Sequence, residues 1–114
     1  MLTSFFRSCA GSIVNLFSFP SNSCNSNDTS ASPFFYNQKI AAVEGQTTGC
    51  IRVNTPGYSA SSFVYTRDGV ENDSCELRTY RTTDCRDEYR ASYDIDEDVS
   101  GCIVTKFRAV KLAC

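Results

Sequence analysis

Seven cysteines in 114 residues constrain this chain more than any other feature. They fall singly at positions 9, 24, 50, 75, 85, 102 and 114, with no Cys-x-x-Cys and no histidine. A structural zinc site would have to be an all-thiolate one, assembled from scattered cysteines. Disulfides in an oxidising compartment are the better reading, and they suit a domain that buries only about two thirds of its unfolded surface. Such length points to one domain, 1–114, with a real core but a modest one.

Charge narrows the function classes. The net charge is −2, and eleven Lys and Arg are dispersed among thirteen Asp and Glu. No block of one sign is left to serve as a footprint for nucleic acid or an anionic membrane. Two sequons, Asn27-Asp28-Thr29 and Asn72-Asp73-Ser74, lie in polar stretches and agree with a secreted protein. The start of the chain lacks a leader pattern, since Arg7, Ser8, Ser12 and Asn15 interrupt any apolar run, so the secretory signal is expected outside this sequence. No stretch approaches the ~20 apolar residues of a membrane-spanning helix.

Short β-branched and aromatic runs bounded by Gly, Pro, Asn, Asp and Ser predict strands over 13–19, 39–43, 50–53, 59–66, 75–81, 89–93 and 103–114, the last broken near Lys106. Ser21 to Pro33 reads as a polar loop, and Arg67 to Ser74 carries an Asp-Gly turn signal. No segment has ten residues of helical apolar spacing, so an all-β sandwich or barrel is expected.

The chain also repeats itself. "GCIRVNTPGYSASSFVY" (49–65) and "GCIVTKFRAVKLAC" (101–114) share an opening triplet, and aligning Ala60 with Ala109 places Phe63 on Leu112 and Tyr65 on Cys114. Upstream, Val14, Phe17 and Cys24 fall on Leu77, Tyr80 and Cys85. Two motifs, about 12–66 and 75–114, would each complete the other's core.

An aromatic-bearing strand, a cysteine, a variable loop and a closing strand resemble the βγ-crystallin-like Greek-key domain, especially its secreted microbial versions. The residues that carry the resemblance are "YSASSFVY", "CELRTYRTTDC" and "GCIVTKFRAVKLAC". It implies two packed antiparallel sheets, a disulfide-stapled β-sandwich of two Greek-key motifs. It also implies disulfides Cys75–Cys114, Cys85–Cys102 and Cys24–Cys50, with a Cys75–Cys85 hairpin bridge as the main competitor. Cys9 then stays unpaired, because Tyr65 occupies its partner position, and is available for dimer formation. Calcium-binding members carry paired Asn or Asp residues before a Ser/Thr-Ser pair; Gly57 and Tyr58 stand there in this chain, so no metal or other cofactor is expected. "DIDED", 94–98, reads as a solvated acidic loop, since Val99 and Thr105 stand where an EF-hand loop needs Gly and Glu.

Without histidine, acid–base work would fall to carboxylates, and none stands where apolar flanks would raise its pKa. Glu76 has Arg78 two residues on, which favours its charged form. An enzyme is therefore not expected, and no catalytic residue is assigned. Arg78, Arg81, Arg86 and Arg108, with Arg90, form a candidate binding face for a carboxylate, phosphate or sulfated sugar; the competing reading is a solvated face neutralised by Asp84, Asp87 and Glu88. The expected function is a fungal effector-like secreted protein that binds a host protein or cell-wall glycan through loops on a rigid scaffold. The alternative is a secreted protease inhibitor or toxin of the same fold, presenting 25–38 or 67–74 as its exposed loop.

Overall fold

A computed structural model of the chain describes residues 11–24, 37–68, 75–89 and 91–114. Residues 1–10 with Cys9, Arg90, both sequons and most of the two candidate inhibitory loops lie outside the described residues. Eight strands run in the order β1 (Gly11–Phe19), β2 (Asn37–Val43), β3 (Ile51–Arg52), β4 (Ala60–Asp68), β5 (Glu76–Tyr80), β6 (Ala91–Asp94), β7 (Ile103–Phe107) and β8 (Ala109–Ala113). Among the described residues the only helical element is a single 3-10 turn, Pro56–Tyr58.

The period-2 pattern explains the strands. Val14 and Leu16 of β1 point inward and are fully buried, whereas Ile13, Asn15 and Phe17 between and beside them face outward. In β5 Leu77 and Thr79 are buried, while Glu76 and Arg78 lie on the other face. The alternation slips at Phe107-Arg108-Ala109-Val110, where three of four residues are buried. There the chain leaves one sheet and enters the other, with Arg108 the single residue between β7 and β8. The break expected near Lys106 falls two residues later.

Both sheets are antiparallel, ordered β2-β1-β4-β7 and β3-β8-β5-β6. Each takes three strands from one half of the chain and one from the other: β7 joins the sheet of the first half, and β3 that of the second. Between the sheets lies one cluster that includes Val14, Leu16, Ile40, Val53, Phe63, Leu77, Ile95, Phe107, Val110 and Leu112. Residues matched by the internal repeat have matching roles here. Val14 and Leu77 are both fully buried, as are Ala60 with Ala109 and Phe63 with Leu112. Cys24 and Cys85 share a left-handed backbone, at φ 50° and 55°.

Exchange of the third strands decides the disulfides. Cys50 and Cys102 each stand one residue before an exchanged strand, so each meets the cysteine of the opposite half. The bridges are Cys24–Cys102, Cys50–Cys85 and Cys75–Cys114, with Cα separations of 5.7, 5.8 and 4.1 Å. Cys75–Cys114 is the pairing implied by the Greek-key resemblance. The implied Cys24–Cys50 and Cys85–Cys102 pairs are corrected: they place each Gly-Cys-Ile strand in the sheet of its own half, and it belongs to the other. The Cys75–Cys85 hairpin bridge is likewise absent, because β5 carries those two residues to opposite ends of its sheet. Three bridges in so small a domain suggest an extracellular protein. Among the described residues no helix is long and apolar enough to cross a membrane.

The acidic stretch 94–98 is held down at several points. Ile95 is fully buried, the Tyr65 hydroxyl donates to the Asp94 carbonyl (3.2 Å), and Arg67 donates to the Ile95 carbonyl (3.1 Å) while pairing with Asp98 (3.2 Å). Burial raises the Tyr65 hydroxyl above its ordinary pKa, and the charges of Asp96 and Glu97 act in the same direction. Among the described residues no group of three His, Cys, Asp or Glu side chains could hold a metal ion.

Candidate binding site

Strand register brings three cations together at one end of the sandwich. The Arg108 amide donates to the carbonyl of Tyr80 (2.8 Å), the last residue of β5, so Arg81 begins where Arg108 passes. Ala60 is paired with Phe107 across β4 and β7, which sets Ser59 beside Arg108. Arg81, Lys106 and Arg108 with Ser59 and the buried Phe107 line an open cleft of about 260 Å³. All three cationic side chains are exposed, and none has an ion-pair partner among the described residues. Cations held close together without counter-charge repel one another, and an anion bound between them relieves that repulsion.

The loop that supplies Ser59 is shaped by its own backbone. Thr55 is buried; its hydroxyl donates to the Ser59 carbonyl (2.7 Å) and its carbonyl accepts from the Tyr58 amide (2.9 Å). The tight turn needs φ of +71° at Gly57 and +51° at Tyr58. Glycine adopts the first freely, whereas tyrosine does so at a cost. Tyr58 thereby projects from the surface, 47% exposed, with the Arg52 guanidinium 4.6 Å from its ring centroid.

The sequence-derived arginine face is divided by the structure. Arg81 and Arg108 share the cleft, and Lys106, which sequence reasoning missed, joins them. Arg86 pairs with Asp84 (3.1 Å) in the loop after β5, as the neutralised-face reading expects. Arg78 is bound to Glu76 (2.6 Å) on the outer face of β5 and lies 5.1 Å from the Tyr89 ring centroid. Also on that face, Lys111 stands over Tyr80 (5.6 Å), and Tyr80 meets Tyr89 edge-on (6.3 Å).

Glu76 accepts from Ser92 (2.8 Å) and from Arg78, and these bonds hold its carboxyl below the usual pKa. The same contact raises Arg78. A carboxylate in this state is a poor general acid. Because the folded-state pKa is depressed, the stability it contributes is present above the ordinary carboxylate pKa and is lost as pH falls through the lowered one. The difference in melting temperature between the wild type and Glu76→Gln should therefore be largest near neutral pH and vanish in acid. A difference independent of pH would show that the pair contributes nothing electrostatic.

Comparison of the chain with protein-family models, with curated proteins and with solved structures finds no match.

Proposed function

We propose that this is a secreted, non-enzymatic binding protein on a βγ-crystallin-like scaffold, and that its ligand presents an anionic group to the cleft of Arg81, Lys106 and Arg108. The single observation that carries the reading is that these three side chains meet in one cleft with no acidic partner among the described residues. Arginine favours carboxylate, phosphate and sulfate through paired hydrogen bonds, and lysine adds a point charge. The scaffold reading draws on the exchange of β3 and β7, which makes each half of the chain close the sheet of the other, as two interlocked Greek keys would. Three disulfides suit an effector-like protein that meets a host protein or cell-wall glycan outside the cell.

Titration with inorganic sulfate and with galacturonic acid, followed by amide chemical shifts, tests the cleft. Shifts should centre on Ser59, Arg81 and 106–108. The double variant Arg81→Ala/Arg108→Ala should lose about tenfold or more in affinity, which is ~1.4 kcal/mol, with its melting temperature unchanged because both side chains are exposed. Shifts elsewhere, or an unaltered affinity, would remove the cleft from consideration. Nanomolar inhibition across a protease panel would favour the inhibitor reading instead.

A further inference from the structure

The cleft does not stand alone. Arg52 pairs with Ala109 across β3 and β8, and Tyr80 pairs with the same Ala109 across β8 and β5. The residue after β3, Val53, donates its amide to the Arg108 carbonyl (3.0 Å). Arg52 at the end of β3, Arg108 just before β8 and Arg81 just after β5 therefore lie at the same end of three adjacent strands, Arg52 one residue out of register with the other two. Neighbouring strands are ~4.8 Å apart, so the three backbones step across the end of the sheet at that interval. Lys106 lies at the far side of the cleft, on β7. At the near end Arg52 is stacked on Tyr58, an exposed ring held out on a left-handed turn.

A row of cations at this spacing is longer than one sulfate or one carboxylate requires. It fits a chain that carries one negative charge per monomer, each monomer about as long as the strand interval. We infer that the ligand is a linear acidic glycan, with uronate carboxylates or sugar sulfates along the row Arg52–Arg108–Arg81 and one pyranose ring against Tyr58. The inference rests on the anion cleft proposed above and extends it by a subsite. An aromatic ring with a cation beside it suits a charged sugar, whose C–H face packs on the ring while its anion meets the guanidinium. A nucleic acid fits less well. The net charge of −2 and the acidic stretch 94–98 oppose a long, densely charged polymer, whereas a glycan with one charge per ring can follow a short row.

The test compares chain lengths on the intact protein. Galacturonic acid and inorganic sulfate probe the cleft alone; hexagalacturonate and a heparin hexasaccharide probe the row and separate carboxylate from sulfate. A hexanucleotide of deoxythymidine is the competing polymer. One of the two hexasaccharides should bind about tenfold or more tighter than its monomeric counterpart, with affinity falling more steeply with salt. Arg52→Gln and Tyr58→Ala, both at exposed positions, should each erase most of that gain while leaving monomer or sulfate binding unchanged. Equal affinity for monomer and hexamer, or a gain insensitive to both substitutions, overturns the extended site and leaves the cleft standing. Tighter binding of the hexanucleotide than of either glycan also overturns it. Failure of every probe, sulfate included, removes the cleft and the row together.

Discussion

Replacing Phe63 with alanine should cost about 3–5 kcal/mol, the largest loss expected from any single side chain in this domain. Phe63 is fully buried at the centre of β4. Its ring meets Tyr93 of the opposite sheet edge-on at 5.3 Å and Phe107 of its own at 5.4 Å. Edge-to-face pairs add roughly 0.5–1.5 kcal/mol beyond the area that they bury, and truncation removes both at once. The site cannot collapse easily, because Phe107 is fixed next to the residue at which the chain changes sheets. With disulfides intact, the melting temperature should fall by roughly 12–20 °C, taking a few degrees per kcal/mol for a domain of this size. A fall of under 5 °C would mean that the Phe63 ring is not packed between the two sheets against Tyr93 and Phe107.

Removal of the Cys24–Cys102 bridge, as Cys24→Ser/Cys102→Ser, should cost about 2–4 kcal/mol. It spans 78 residues, the longest loop of the three, against 35 for Cys50–Cys85 and 39 for Cys75–Cys114. On loop entropy alone the 35-residue bridge should cost about 0.7 kcal/mol less to lose, although the interleaved bridges shorten one another's effective loops. Urea unfolding of the two double variants measures the order. Peptide mapping without reduction supplies a sharper check, since a Cys24–Cys50 peptide in the wild type would overturn the exchanged strands themselves.

Strand positions were legible because one face of each strand is buried: Val14 and Leu16, or Leu77 and Thr79, announce the pleat. The partner of a strand is harder to read. Ile51–Arg52 contributes only two residues to its sheet, and its sequence encodes a buried side without naming the edge that it joins. That gap produced the two incorrect cysteine pairs, while Cys75–Cys114 survived because β5 and β8 are neighbours within one half. The arginine face was half legible for a similar reason. Arg81 and Arg108 follow from the β5–β8 register, and the capture of Arg78 by Glu76 was visible two residues away on the same face. Lys106 was missed, although the slip in alternation at 107–110 marks the sheet change that carries it to the same end.

The crosswise bridges also govern how the molecule can be destroyed. The spans 24–102, 50–85 and 75–114 overlap, so every peptide bond between Cys24 and Cys114 lies inside at least one of them. A protease that cuts once anywhere in that interval frees no fragment, and a cut between Cys50 and Cys75 leaves two covalent ties across the break. Degradation then requires several cuts or a reductant, and a nicked molecule keeps Arg81, Lys106 and Arg108 on one covalently joined particle. Outside the cell, where proteases are common and thiols are scarce, such a chain would outlast its own cleavage.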